Sequence, residues 1–223
     1  MPDFSSGEIK GIVFDLDGTL YVCERFASEI QDAAAIYISG IKRLSYSEAM
    51  QMMAETRQRL TQENGTVQTI SAVCSELGGS VQEMHRFFTQ TLRPEAYLIR
   101  DERVIHLLKR LSAQFSIYIY TNNNRILTAR IMNYLGLDSI ADGTFTIDDA
   151  WRAKPDEEMV VRIIESIGLK PEETLFVGDR YDIDLRVPDQ LGCPVYLSQS
   201  IEQLLLLGEL LTQKPSADMS AVR

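Results

Sequence analysis

Carboxylate, hydroxyl, amide and ammonium side chains follow a series of short apolar runs in this chain. Asp15 and Asp17 come directly after the run GIVF, and further polar residues follow the runs SIYIY, TFTI and TLFVG. Apolar runs that do not alternate are typical of strands buried on both faces of a parallel sheet. Ligands bind at the carboxyl ends of such strands, so we expect the polar residues to converge there. They are Asp15, Asp17, Thr121, Asn122, Lys154, Asp179, Asp182 and Asp184.

These residue types together suit the binding of a phosphoryl group. Carboxylates that are held close to one another repel, and a divalent cation relieves that repulsion. Oxygen ligands without histidine or thiol favour Mg²⁺, which binds through one or two carboxylates together with substrate phosphate. Lys154 and Thr121 add a positive charge and a hydroxyl donor, and backbone amides at helix starts add further anion-binding groups. The sequence therefore predicts a phosphoryl site that uses Mg²⁺.

The spacing of the first two aspartates predicts that they have different catalytic roles. Asp15 is expected to act as a nucleophile, because a carboxylate can accept a phosphoryl group and form an aspartyl-phosphate. Asp17 is expected to protonate the leaving oxygen and later to activate water. Gly18 would allow a tight turn between these residues and the following segment, and Thr19 is expected to orient Asp17 by a hydrogen bond.

Helical patterns alternate with the apolar runs. The segment 101–114 carries its apolar residues on one face, and so does 154–168, which has Pro155 and acidic residues in its first turn. The runs 144–147 and 194–197 would complete a sheet. Strands that alternate with helices predict an α/β fold, a Rossmann-like parallel sheet with helices on both faces.

About a hundred residues separate the first two predicted strands, which is too many for one crossover connection. The intervening segment is helical in pattern; Ser45 and Glu48 are spaced as a capping box, and two further helices are predicted over 66–77 and 80–91. We therefore predict an inserted all-helical cap domain. The predicted division is 1–22 and 93–212 for the core, 23–92 for the cap and 213–223 for a flexible tail.

Composition narrows the possible partners. The chain has 223 residues and a formal net charge of −10, which disfavours binding to nucleic acid or to an anionic membrane surface. Three cysteines without a CxxC pair indicate reduced thiols. The first ten residues do not have the pattern of a signal peptide, and no apolar run is long enough to span a bilayer. A cytoplasmic location is the resulting expectation, and the oligomeric state is not predicted.

Four segments of the sequence resemble, in order, the four motifs of the haloacid dehalogenase (HAD) superfamily of phosphohydrolases. DLDGTL at 15–20 is similar to the first motif, and Thr121 with Asn122 to the second. Lys154-Pro155 is similar to the third, and GDRYDID at 178–184 to the fourth. The resemblance covers roughly 8–22 and 95–210, and the four motifs together are far more specific than any one of them.

The resemblance implies a role for each matching residue. Asp15 would be nucleophile and metal ligand, the backbone carbonyl of Asp17 would also bind the metal, and Asp179 would complete the protein ligands to Mg²⁺. The phosphoryl oxygens would be held by Thr121, Asn122 and Lys154. A second acid of the fourth motif would support the metal site; Asp184 is favoured and Asp182 competes with it. Arg180 departs from the serine or asparagine that is common after GD.

The resemblance leaves several activities open. A Mg²⁺-dependent phosphatase acting on a small phosphorylated metabolite is favoured; a sugar-phosphate mutase and a non-catalytic relative that binds phosphate or a partner are the alternatives. A dehalogenase is disfavoured, since that branch usually lacks the second aspartate. The insertion resembles a C1-type cap, as in phosphoglycolate phosphatase-like or pyrimidine 5′-nucleotidase-like enzymes.

Other residues near the motifs are assigned provisional roles. Tyr21 and Trp151 flank motifs and would either contact substrate or pack. The two histidines, His85 and His106, match no motif and are expected to be structural or exposed. The cap offers four candidate substrate contacts, although solvated surface positions are the favoured interpretation for each: Arg25, Arg43, Arg57 and Asn64.

Overall fold

A parallel sheet of five strands forms the centre of the computed structural model, which describes residues 9–212. The strand order is β3-β2-β1-β4-β5, and every neighbouring pair is parallel. The first strand in sequence therefore lies in the middle of the sheet, and its carboxyl end is flanked by those of β2 and β4. The strands are β1 (Gly11–Phe14), β2 (Ser116–Tyr120), β3 (Gly143–Phe145), β4 (Thr174–Gly178) and β5 (Val195–Leu197).

Helices precede or follow each strand in the described part of the chain. Four of them, α1–α4, lie between β1 and the linker that leads to β2, and the others connect or follow the strands of the sheet. They are α1 (Glu24–Lys42), α2 (Tyr46–Asn64), α3 (Ile70–Glu76), α4 (Val81–Thr91), α5 (Glu102–Ser112), α6 (Arg125–Leu135), α7 (Glu157–Ile167), α8 (Arg186–Gln190) and α9 (Ile201–Thr212).

Side chains of β1 alternate between two apolar clusters on the two faces of the sheet. Ile12 and Phe14 belong to the larger cluster, which contains residues of α5, α6 and α9 and continues into the helical insertion. Val13 belongs to the smaller cluster, which contains residues of α7 and α8. All four residues of β1 are buried. Burial on both faces explains why the strand is apolar throughout.

The insertion between β1 and β2 is a bundle of helices with well-formed starts. The Ser45 side chain accepts a hydrogen bond from the Glu48 backbone, and the Glu48 carboxylate accepts one from the Ser45 backbone. The predicted capping box is thus confirmed. Thr69 caps α3, so this helix begins at Ile70 rather than near residue 66.

The insertion is anchored to the core by contacts with α6 and its N-cap. Asn124 caps that helix by accepting from the backbone of Leu127 at 2.9 Å, and its amide donates to the carbonyl oxygen of His85 in α4 at 3.0 Å. Arg130 of α6 forms an ion pair with Glu95 at 2.8 Å in the linker after α4. The cap is therefore held by polar contacts as well as by the shared apolar cluster.

The predicted Rossmann-like α/β fold with a helical insertion is confirmed. The third strand differs from the prediction, because it ends at Phe145 and a short helical turn follows it. The division into core and cap at 22/23 and 92/93 stays a prediction, and the predicted tail at 213–223 lies outside the described residues. None of the helices within residues 9–212 has the length and apolarity that a membrane span requires.

The buried His85 makes the cap sensitive to acid. Its Nε2 lies 3.3 Å from the Ser71 hydroxyl, and burial lowers its pKa to about 4, although Asp148 acts in the opposite direction. Because this pKa is lower than in the unfolded chain, the stability contributed by neutral His85 is complete above pH 6.5 and is lost as the pH falls toward 4. His106, by contrast, is exposed on α5.

We predict that His85→Gln removes about 3 kcal/mol of the decrease in unfolding free energy that wild type shows between pH 7 and pH 4. Chemical denaturation at several pH values measures this quantity. The exposed His106→Gln change serves as the control and leaves the wild-type pH dependence intact. Parallel pH profiles for wild type and His85→Gln would show that His85 is not buried in its neutral form.

Candidate active site

Asp15 lies at the carboxyl end of the central strand, in contact with a buried lysine. Its Oδ1 atom is 2.5 Å from Lys154 Nζ, and its Oδ2 accepts a hydrogen bond from the Thr19 hydroxyl at 3.2 Å. The expectation that Thr19 orients Asp17 is therefore wrong: the tight turn after the strand directs its hydroxyl back toward Asp15. Both carboxylate oxygens of Asp15 are thus fixed by neighbouring side chains.

Lys154 reaches this position from the loop between β3 and α7 and is fully surrounded by protein. Its ammonium donates to Asp15 and to the backbone carbonyl of Tyr120 at 3.0 Å, and it lies 2.6 Å from Asp184 Oδ1. Its own backbone amide donates to Asn122 Oδ1 at 2.7 Å. The second predicted motif therefore positions the third: Asn122 holds the backbone of the residue whose side chain contacts the nucleophile position.

Asp17 is oriented by three donors. Asn123 Nδ2 donates to its Oδ2 at 2.6 Å, the Thr121 hydroxyl donates to the same oxygen at 3.4 Å, and the Tyr21 hydroxyl donates to Oδ1. Burial, and then the nearby Asp17 carboxylate, raises the pKa of Tyr21, so this hydroxyl stays protonated as a donor. Asp17 is thus pre-oriented at the entrance of the site.

Asp179 and Asp184 come from the end of β4 and the helical turn that follows. Gly18 has a positive φ of 88°, and a Cβ atom there would lie 2.5 Å from Asp179 Oδ2, so only glycine allows this close approach. Asp184 is buried, and its Oδ2 accepts from the Arg180 backbone at 3.1 Å. Asp182 is exposed and takes no part in the cluster.

Three carboxylates form a cluster that is suited to a cation. One oxygen from each of Asp15, Asp179 and Asp184 can be chosen such that the three lie within 4.8 Å of one another. Asp179 Oδ1 is buried and accepts no hydrogen bond, although Arg180 Nε lies 3.5 Å from it. Asp184 Oδ1 lies 2.6 Å from Lys154 Nζ but also accepts no hydrogen bond with favourable geometry. Oxygens that are buried and short of donors, in an all-carboxylate set, fit a hard divalent ion such as Mg²⁺.

The electrostatics of the cluster favour the same interpretation. Burial raises the pKa of Asp15 to about 7; Lys154 lowers it, and the neighbouring carboxylates of Asp184 and Asp17 raise it. Burial likewise raises the pKa of Asp179 to about 6, against the lowering effect of Arg180. Burial would lower the pKa of Lys154, but Asp15 and Asp184 together raise it. The lysine is therefore charged, but the cluster still has more carboxylates (Asp15, Asp179 and Asp184) than contacting cations (Lys154 and Arg180).

A cavity of about 380 Å³ lies between these strand ends and the helical insertion. Core residues on its wall include Asp17, Asn122 and Asp179, and Arg57 lines it from the cap. The three other candidate cap contacts of the sequence prediction are exposed: Arg25, Arg43 and Asn64.

Two aromatic residues and one amide had no definite role in the sequence prediction. Tyr21 contacts Asp17, as described above, and also lines the cavity. Trp151 packs against His85, with ring centroids 6.5 Å apart, and lines a second cavity that Lys154 also lines. Asn123 was missed; its only signal is its place two residues after Thr121, within three consecutive asparagines.

A family model described as haloacid dehalogenase-like hydrolase matches residues 9–192, which include all four motifs. The chain belongs to this family. The resemblance that the motifs indicated is confirmed, and so is the predicted class of enzyme, a HAD-type phosphatase, since several relatives carry phosphatase names.

Two relatives and one solved structure illustrate the similarity. Glyceraldehyde 3-phosphate phosphatase of Methanocaldococcus jannaschii is 25% identical over 196 residues, which are 82% of each chain. Pyrophosphatase PpaX of Bacillus pumilus is 26% identical over 175 residues, 78% of this chain and 76% of the relative. The magnesium-bound HAD-hydrolase YfnB of Bacillus subtilis aligns with a TM-score of 0.59 and 20% identity over 92% of this chain and 100% of its own, which shows the shared fold.

The buried ammonium of Lys154 should be a major determinant of stability. Lys154→Met leaves Asp15 and Asp184 buried without their counter-charge, so we predict a loss of about 3–5 kcal/mol in unfolding free energy. The control is Lys10→Met, since Lys10 is exposed and pairs at the surface with Glu173 at 2.6 Å; its loss should stay below about 1 kcal/mol. Denaturant titration in EDTA at neutral pH measures both, and equal losses would contradict the buried ion cluster.

Proposed function

We propose that this hydrolase is a Mg²⁺-dependent phosphatase that acts on a small phosphorylated metabolite through an aspartyl-phosphate on Asp15. The observation that carries the proposal is the contact between the buried Asp15 carboxylate and Lys154 Nζ, at the strand ends and beside the oriented Asp17. A nucleophile, a phosphoryl-binding cation and a proton donor are thus adjacent to one another.

In the first step, an oxygen of Asp15 attacks the phosphorus atom, and the bond from phosphorus to the ester oxygen breaks. The protonated carboxyl of Asp17 gives its proton to that oxygen, so that the alcohol leaves neutral. In the second step, Asp17 removes a proton from water, the resulting hydroxide attacks phosphorus, and the bond to Asp15 breaks. Inorganic phosphate is released, the carboxylate of Asp15 is regenerated, and Asp17 holds the proton that the next cycle needs.

The remaining residues of the site hold the phosphoryl oxygens. Lys154 supplies the charge that balances them. The Thr121 hydroxyl, which contacts Asp17 in the structure, would turn its single proton toward a phosphoryl oxygen when substrate binds. The Asn122 side-chain oxygen is engaged by the Lys154 backbone, which leaves its NH₂ group as the donor toward the substrate. All three residues are fixed by the ends of β2 or by the loop after β3, so the site is formed before substrate binds.

The metal would be held by the carboxylates of Asp15 and Asp179 and by the backbone carbonyl of Asp17. Asp184 would support this set, because Lys154 and the Arg180 backbone already fix its carboxylate. When bound, Mg²⁺ supplies positive charge to the transferring phosphoryl group. The close carboxylate oxygens and the donor-free Asp179 Oδ1 support this assignment.

The identity of the metabolite is the open part of the proposal. The relatives described above are named for glyceraldehyde 3-phosphate and for pyrophosphate. Phosphoglycolate and pyrimidine nucleotides are the further candidates that the cap resemblance offers.

A sugar-phosphate mutase shares the aspartate pair and a helical cap, and therefore stands as the second candidate function. The cytoplasmic location stays a prediction.

Phosphate release with Mg²⁺, from p-nitrophenyl phosphate and from a panel of these metabolites, tests the proposal. We predict that Asp15→Asn abolishes turnover because the attacking carboxylate is lost, and that Asp17→Asn lowers kcat by about 10²–10⁴-fold because the proton donor is lost. EDTA should stop the reaction, and Mg²⁺ should restore it better than Ca²⁺, whose coordination is larger and more flexible.

Asp182→Asn is the matched control for these variants, since Asp182 is an exposed aspartate of the same motif. It should retain near wild-type rates. Near-normal turnover by Asp15→Asn would refute the nucleophile assignment. Interconversion of hexose phosphates after priming with a bisphosphate, with only slow hydrolysis, would establish the mutase instead. A folded protein that releases no phosphate from any ester would be a non-catalytic relative.

A further inference from the structure

The cavity between cap and core is larger than a phosphoryl group requires. Its volume of about 380 Å³ lies within the range of small-molecule pockets, roughly 300–1,000 Å³. Asp17 and Asp179 lie at its core end, and Arg57 of α2 lines it from the cap. Since Asp17 is two residues from Asp15, a phosphoester bound at Asp15 would extend its alcohol portion into this chamber, which the cap also lines.

Most of the chamber wall between those two ends is apolar. Its side chains come from α1, from the start of α3 and from α4, and they include Phe26, Ile30, Ile70 and Phe88. Apolar walls are covered best by a carbon skeleton, because they cannot hydrogen-bond to water or to a bare inorganic anion. The chamber thus favours an organic alcohol portion.

Arg57 is half-buried and has no counter-charge among the described residues, whereas the other arginines of the cap are exposed. One Nη atom donates to the neutral side-chain oxygen of Gln31 at 3.1 Å, whereas the buried Nε has no acceptor. Arg57 forms no ion pair with any carboxylate of the described residues. Arg59, two residues along the same helix, is exposed and pairs with Glu63 and Glu76. The exposed arginine of this helix is thus neutralised by carboxylates, whereas the half-buried one is not.

A second guanidinium, that of Arg180, adds to the uncompensated positive charge at Arg57. Burial lowers the pKa of Arg57, and Arg180 lowers it further. Arg180 itself has counter-charges, because its Nε lies 3.5 Å from Asp179 and 3.8 Å from Asp184. A half-buried cation beside a like charge is costly unless an anion accompanies it. Of the two arginines that line the chamber, Arg57 is therefore the one without an ion pair to any described carboxylate.

We propose that Arg57 is a specificity-determining residue that binds a second oxyanion, a carboxylate or a phosphate, at the far end of an organic phosphomonoester. This inference rests on the proposed phosphatase function and narrows it to a substrate class. The phosphoryl group lies at Asp15 and Lys154, the carbon skeleton covers the apolar walls, and the second anion accepts the Nε and Nη hydrogen bonds of Arg57. A guanidinium is well suited to this task, since its fork matches an oxyanion in a bidentate manner.

Matched esters that differ in a single anion provide the test. The first pair is phenyl phosphate and 4-carboxyphenyl phosphate; the second set is butyl phosphate, 4-phosphonooxybutyrate and butane-1,4-diol bisphosphate, which separates carboxylate from phosphate. For wild type with Mg²⁺, we expect kcat/KM to be at least tenfold higher for an ester that carries a second anionic group than for its counterpart without that group. Arg57→Gln should reduce that ratio to about one, mainly through KM, while activity on phenyl phosphate stays within about threefold.

The controls separate recognition from folding. Arg59→Gln removes the same charge from the outer face of α2 and should keep the wild-type ratio. Arg57→Lys keeps the positive charge but not the bidentate guanidinium, so its ratio of kcat/KM values should lie between those of wild type and Arg57→Gln. Arg57→Gln should not lower the melting temperature, because an unpaired, half-buried charge is removed; a purely structural arginine would lower it. No preference in wild type, or a preference that survives Arg57→Gln, would overturn the inference.

A binding measurement keeps this inference separate from the proposed reaction. Calorimetric titration of Asp15→Asn with the phenyl pair should show tighter binding of the carboxylated ester, and Asp15→Asn/Arg57→Gln should lose that difference. If this preference is present but wild type releases no phosphate, recognition by Arg57 stands and the phosphatase proposal fails. If wild type hydrolyses both esters equally and binding shows no preference, the phosphatase proposal stands and the role of Arg57 is refuted.

Discussion

A single buried ammonium group, Lys154 Nζ, lies between the carboxylates of Asp15 and Asp184, and the arrangement of the site depends on it. Three elements that are distant in sequence meet at this atom: the end of β1, the loop after β3 and the turn after β4. Two carboxylates that are this deeply buried are costly without a counter-charge. The remaining shortage of positive charge in the cluster is what makes it suitable for a divalent cation.

The parallel sheet makes this convergence possible, and the helical insertion covers the edge where it occurs. With β1 in the centre, residues after β1, β2 and β4 share one edge, so Asp15, Thr121 and Asp179 become neighbours. Helices α1–α4 then cover that edge and contribute apolar walls and Arg57. In the proposed function, the residues at the strand ends carry the chemistry, whereas the insertion supplies the wall that would contact the alcohol portion.

How far the sequence predicted this arrangement depends on the range of each interaction. Local signals performed well: the unalternating apolar run of β1 indicated a buried strand, and the spacing of Ser45 and Glu48 indicated a capped helix start. Contacts between residues that are distant in the sequence, or that depend on side-chain direction, were harder to predict. The partner of Thr19 was predicted wrongly, and Asn123 was missed, because each depends on the direction of a side chain after a turn. The burial of Arg57 follows from packing between cap and core, which helical periodicity alone does not define.

The central claim is that Asp15 carries the phosphoryl group during turnover, and chemical trapping tests it most directly. The protein is incubated with Mg²⁺ and its best ester, quenched and reduced with borohydride, which converts an aspartyl-phosphate into homoserine. Peptide mass spectrometry then locates the modified residue. The account predicts modification at Asp15, dependent on substrate. Modification of a different aspartate, or none under conditions in which phosphate is released, would contradict it.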